Sequence, residues 1–211
     1  RFGMNYTADH IFMTSGAAGA IAHAVRLVTV PGDEIITFAP FFPEYNPYVN
    51  LSGAVLKIVP ADTSSFQINF EAFESMINEK TMAVLVNTPN NPSGICYSTN
   101  TIEKLAAILK DKSEKYGHVI YLISDEPYRE IVFEGVDSPY VSKFYDHTIS
   151  CYSFSKSLSL PGERIGYVAI NPACEGADKM AVMCGQISRG IGHNCPASLI
   201  QLAVAENLDL T

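Results

Sequence analysis

Two hydrophobic patterns alternate along the whole chain. Short unbroken apolar runs are followed by segments whose apolar positions recur at helical spacing. Runs such as Met82-Ala83-Val84-Leu85-Val86 and Val119-Ile120-Tyr121-Leu122-Ile123 show no polar alternation, as expected of strands covered on both faces. The pattern predicts strands over Ile11–Thr14, Glu34–Phe38, Val55–Val59, Met82–Asn87, Tyr121–Asp125, Thr148–Ser153 and Tyr167–Ile170. It predicts helices over Ala17–Leu27, Glu44–Leu51, Phe70–Ile77, Thr101–Lys115, Ala177–Ser188 and Ala197–Asn207. The clearest is Thr101–Lys115, where Ile102, Leu105, Ala106 and Leu109 share a face, Asn100 with Glu103 forms a capping pair, and Gly117 follows the end. Strands alternating with crossover helices imply an α/β fold, a mostly parallel seven-stranded sheet with helices on both faces.

In such sheets ligands collect beyond the carboxyl ends of the strands. Ser15-Gly16-Ala17, Thr88-Pro89-Asn90-Asn91, Asp125 and Ser153-Phe154-Ser155-Lys156 each follow a predicted strand, so a parallel arrangement would aim these segments at one place. The last is the most telling. One lysine lies among hydroxyls, with Arg164 shortly after it in Leu160-Pro161-Gly162-Glu163-Arg164-Ile165-Gly166. This combination suits a phosphorylated aldehyde: the amine attacks the carbonyl, while arginine and hydroxyls hold the phosphate by charge-assisted hydrogen bonds. A lysine does this only as a free amine, which calls for desolvation or neighbouring cations.

Composition narrows the classes of partner. The 211 residues suffice for one substantial core, and the net charge of -8 without a basic stripe argues against nucleic acid. No apolar run approaches the roughly 20 residues of a membrane-crossing helix. Five cysteines, an odd number without C-x-x-C spacing, fit a reducing, cytoplasmic setting, and the five histidines have no metal-ligand spacing, so no metal is expected.

Four segments together resemble the class I/II (fold type I) pyridoxal-phosphate aminotransferases. They are Thr14-Ser15-Gly16-Ala17-Ala18-Gly19-Ala20, Asn87-Thr88-Pro89-Asn90-Asn91-Pro92-Ser93-Gly94, Ser124-Asp125-Glu126-Pro127-Tyr128 and Ser153-Phe154-Ser155-Lys156, in the family's order and with Arg164 in register. The resemblance implies pyridoxal 5′-phosphate as cofactor and transfer of an amino group between an amino acid and a 2-oxo acid. Lys156 then forms the internal aldimine and shuttles protons, Asp125 faces the pyridine nitrogen, and Asn91 and Tyr128 bind the phenolic oxygen. Gly16, Ala17 and Ala18 at a helix start form the phosphate cup with Ser153, Ser155 and Arg164. Phe42 stacks on the ring, a role Phe41 would take in a register shifted by one. The same resemblance implies cis bonds before Pro92 and Pro40.

Other readings of single segments stay open. Taken alone, Asp125 reads more readily as a helix N-cap beside Pro127, a preference the motif match reverses, while Asn90–Gly94 reads as a turn and Gly16–Gly19 as a small-residue packing helix. A β-lyase, decarboxylase or synthase on the same cofactor, or a cofactor-sensing domain of a transcription regulator, is compatible with the same residues. Family members are longer and add a small domain, which carries the arginine that clamps the substrate carboxylate. The chain opens at Arg1 and closes at Thr211 just after a helical run, so residues 1–211 are expected to be the cofactor-binding large domain of a longer homodimeric protein, cut at both ends and inactive by itself.

Overall fold

A computed structural model describes residues 2–210. Seven strands form one sheet: β1 (Ile11–Thr14), β2 (Glu34–Phe38), β3 (Val55–Val59), β4 (Thr81–Asn87), β5 (Tyr121–Asp125), β6 (Thr148–Ser153) and β7 (Gly166–Ile170). Their order across the sheet is β1-β7-β6-β5-β4-β2-β3. Pairing is parallel from β3 through β6, whereas β7 is antiparallel to both β6 and β1. The reversed β7 leaves β1 running in the same direction as β6, so the carboxyl ends of β1, β4, β5 and β6 lie at one rim. In register, Asn87 stands beside Asp125 and Asp125 beside Cys151.

The helices are α1 (Gly16–Val28), α2 (Tyr45–Asn50), α3 (Phe70–Met76), α4 (Thr99–Tyr116), α5 (Phe154–Ser157), α6 (Ala177–Gly190) and α7 (Ser198–Ala205). They cover both faces, as the strand patterns require. Ala83, Leu85 and Ile123 pack with Ile21 and Val25 of α1, Tyr45 of α2 and Cys184 of α6. Val84, Val86 and Leu122 turn the other way and pack with Phe73 of α3 and Ile102, Leu105 and Leu109 of α4. Leu105 and Leu109 are fully buried, and truncating either to alanine should cost about 2–5 kcal/mol.

Element ends differ from the sequence reading by one or two positions, and two differences have a physical cause. Helix α4 is capped by Ser98, whose side chain accepts from Thr101 N, and not by Asn100, which is already inside the first turn. Its far end stops at Gly117 with φ of 73°, the left-handed conformation that glycine adopts without penalty. Helix α5 went unpredicted because a single turn carries too little periodicity; it exists through the Ser153 side chain, which accepts from Ser155 N. The bonds before Pro40 and Pro92 are cis as expected, and the bond before Pro89 is cis as well.

Gly166 opens β7 at a crowded point. A Cβ there would collide with the Tyr152 carbonyl oxygen and stand 2.9–3.0 Å from the Gly16 backbone. Only a residue without a side chain lets the reversed strand press against the start of α1.

Candidate active site

A cavity of about 310 Å³ opens at the rim where the strand ends converge, within the range of small-molecule sites. Every element expected to contribute does so. Ala17 and Ala18 enter from the start of α1, Asn87 and Asn91 from β4 and its following turn, Asp125 and Tyr128 from the end of β5 and its following turn, and Ser153, Ser155, Lys156 and Arg164 from the end of β6 and the connection to β7. Both phenylalanines before α2 pack against the core around Tyr45, and of the two only Phe42 lines the cavity.

Asp125 is the most constrained group. It ends β5 and no helix follows, so the N-cap reading does not hold. Its Oδ2 accepts a hydrogen bond from Tyr45 Oη at 2.6 Å, while Oδ1 is buried with no partner among the described residues. Burial pushes its pKa up to about 7, opposed by the Tyr45 hydrogen bond and reinforced by the neighbouring Glu126. A cation brought to Oδ1 would reverse that shift, because a buried carboxylate ionises readily only when it is paired. The backbone here is fixed by Asn87, which donates from Nδ2 to the Asp125 carbonyl at 2.9 Å and accepts from Asn91 N at 2.6 Å. Asn91 in turn donates from Nδ2 to Tyr128 Oη at 3.3 Å.

The anion side is built from α1 and the loop before β7. Gly16 has φ of 71°, a left-handed backbone that favours glycine, and a Cβ on it would stand 2.7 Å from the Arg164 guanidinium, which would have to swing aside. Arg164, itself left-handed at φ 52°, donates from Nη1 to the Pro161 carbonyl at 2.9 Å and from Nη2 to the Ser15 carbonyl at 3.4 Å. Those bonds fix the guanidinium while leaving further N–H donors of its fork to bind a ligand. The Ser153 and Ser155 hydroxyls are 2.6 Å apart. Ala17 and Ala18 contribute first-turn N–H groups that have no partner inside the helix.

Lys156 on α5 lines the cavity, with Nζ 5.8 Å from the Tyr128 ring centroid. It is exposed, so the desolvated environment expected for its amine is not supplied by these residues. Tyr45 and Asn87 went unrecognised in the sequence although they fix Asp125. Tyr45 lies 80 positions from Asp125, and nothing local marks the pairing. A larger hollow of about 600 Å³ shares Asn91 and Tyr128 with this cavity, but Ile95, Ile131, Val132 and Phe133 make it mainly apolar and it contains no lysine or arginine.

A mostly parallel sheet with a lysine, an arginine and a buried carboxylate gathered at its strand ends defines the class: an α/β domain whose rim cavity has cationic groups on one side and an anionic group on the other. Known proteins narrow this further. The family model for aminotransferase class I and II matches residues 2–209, and the chain belongs to that family. It is 34% identical over 171 residues to an aspartate aminotransferase of Thermotoga maritima, covering 80% of this chain and 44% of that protein. It is 34% identical over 165 residues to a probable N-acetyl-LL-diaminopimelate aminotransferase of Bacillus subtilis, covering 78% of this chain and 40% of that one. Among solved structures, an amino transferase from Eubacterium rectale superimposes with a TM-score of 0.92 at 48% identity, over 94% of this chain and 50% of that chain. The chain thus spans less than half the length of either of these two curated relatives.

The family uses pyridoxal 5′-phosphate. The residues present fit that group on structural grounds: the unpartnered Asp125 Oδ1 suits a protonated ring nitrogen, and the glycine-lined cradle beneath Arg164 suits a phosphate.

Proposed function

We propose that this chain is the cofactor-binding domain of a longer, homodimeric, cytoplasmic enzyme that transfers an amino group between an amino acid and a 2-oxo acid with pyridoxal 5′-phosphate. The observation that carries the reading is the shared cavity of Lys156, Arg164 and Asp125, in which Asp125 Oδ1 is buried and unpartnered. Five unpaired cysteines accord with a reducing compartment.

When bound, the cofactor supplies an electron sink for the carbanion formed at the substrate α-carbon. The remaining work falls to the chain. Lys156 Nζ would hold the cofactor at its aldehyde carbon and, once free of it, would take the proton from the substrate α-carbon. Asp125 Oδ1 keeps the ring nitrogen protonated, because opposite charges at hydrogen-bond distance favour both ionised forms. Asn91 and Tyr128, already bonded to each other, hold the phenolic oxygen. Ala17 and Ala18 N–H, Ser153, Ser155 and Arg164 hold the phosphate, and Phe42 covers the ring.

Orienting the substrate carboxylate requires a cation beyond those given to the cofactor, so the chain alone should turn over little. The test is a spectrum and an assay on the full-length protein. Pyridoxal phosphate should produce an absorption band at the violet edge of the visible, lost in Lys156→Ala, together with exchange between amino and oxo acids. A well-folded protein without the band would sink the proposal.

A further inference from the structure

Most polar groups lining the rim cavity have a place in the chemistry above, and three do not: Asn87, Glu44 and Tyr48. Asn87 is spent on the backbone around Asp125 and Asn91. Glu44 and Tyr48 come from the segment that carries Phe42, the first just before α2 and the second one turn into it. Glu44 is the charged member. Its Oε2 accepts from Tyr48 Oη at 2.6 Å in an exposed position, and among the described residues no cation pairs with it. Side chains four apart on a helical turn are neighbours, so this bond holds the carboxylate against the cavity wall. A phenol does so without cancelling its charge.

The cations of the cavity are already committed. Arg164 goes to the phosphate and Lys156 to the aldehyde carbon and the substrate proton. The adjoining apolar hollow offers no replacement. Its one charged lining residue is Asp137, which accepts from Thr99 N at 2.7 Å and from Thr99 Oγ1 at 3.0 Å. A substrate side chain that extends from the aldehyde position thus meets Glu44, an apolar wall or Asp137, and no uncommitted cation among the described residues.

Resting on the proposed function, we propose that Glu44 is a specificity-determining residue. It turns away amino donors whose side chain ends in a carboxylate and favours donors whose side chain ends in a hydrogen-bond donor or a cation. Discrimination of this kind comes from repulsion as much as from attraction: a like charge in one cavity penalises the wrong ligand, while an amide of the same shape gains a hydrogen bond. Aspartate, which gives the Thermotoga maritima relative its name, is on this reading a poor donor.

The experiment compares asparagine with aspartate, an amide and a carboxylate of one shape, as donors to pyruvate in the full-length protein loaded with pyridoxal phosphate. The kcat/KM for asparagine should exceed that for aspartate about tenfold at low salt, and the ratio should shrink in about 1 M salt, where an exposed charge is screened within a few ångströms. Dissociation constants, read from the change in the absorption band as each donor is added, should rank the same way. Glu44→Gln should bring the ratio close to one, and Glu44→Asp, which keeps the charge, should still favour asparagine. A Glu44 needed only for the fold of α2 would instead lower the melting temperature in Glu44→Gln and affect both donors equally. That result overturns the proposal, as does wild-type protein that prefers aspartate. If Glu44→Gln does not fold, the wild type decides: a ratio that salt leaves unchanged overturns it. Failure of the proposed function would show separately, as no absorption band and no exchange with any donor; failure here leaves both and changes only the ranking.

Discussion

Asp125 and Glu126 are consecutive carboxylates, both buried, and their surroundings are opposite in kind. Around Glu126 the chain supplies its own cation, Arg129, and a hydroxyl, so its oxygens are partnered. Around Asp125 it supplies a tyrosine to one oxygen and, among the described residues, nothing to the other, in the lining of a cavity. Because leaving a buried polar oxygen unpaired costs about 1–3 kcal/mol, the second arrangement persists only where something else repays it. The comparison teaches how to tell a structural carboxylate from a ligand-binding one: the difference is whether the counter-charge belongs to the polypeptide.

The strongest way to break this comparison is to remove the covalent anchor on the Asp125 side. Lys156→Ala should abolish amino transfer and the absorption band while leaving thermal unfolding unchanged by calorimetry. Next is the charge itself. Asp125→Asn should lower kcat about 10²- to 10⁴-fold in a coupled transamination assay, the range for losing a catalytic proton-holding group. The same variant sharpens the contrast through pH. Asp125 is raised from 3.8 to about 7, so between these values the cofactor-free folded state retains a proton that the unfolded chain has lost, and stability falls as pH rises through that window. The melting temperature of Asp125→Asn relative to wild type should therefore increase from pH 5 to pH 8.

Arg164→Ala should raise the pyridoxal phosphate dissociation constant about 10- to 100-fold in an equilibrium titration, the effect of losing charge-assisted hydrogen bonds. Tyr45→Phe removes the hydrogen bond that opposes the burial of Asp125 and should move its titration midpoint upward, with a loss of affinity of only a few-fold. The smallest effect comes from outside both regions. Ser98→Ala should cost about 1 kcal/mol in a urea titration through the α4 cap and leave cofactor binding untouched.

What the sequence disclosed followed from how local each signal was. Strands buried on both faces and helices with a single apolar face declare themselves within a few residues, so all seven strands and six of the seven helices were legible. The direction of β7 was not, because Tyr167–Ile170 reads the same in either sense. Ser98-Thr99-Asn100-Thr101 offers several residues able to cap, and only backbone geometry selects Ser98. At the site, residues that follow a strand were found by position, including Asp125, Asn91 and Lys156. Tyr45 and Arg129 were missed because their importance lies in what they touch: Tyr45 meets a residue distant in the chain, and Arg129 looks on paper like any charge on a turn.

The absence of a side chain at Gly166 has a mechanical consequence. Since β7 and the start of α1 touch backbone to backbone, the two halves of the anion cradle, contributed by segments 149 positions apart, share a single seam. Adding even one methyl group there would wedge them apart together, so the grip on the phosphate is set as much by a missing atom as by any that reaches it.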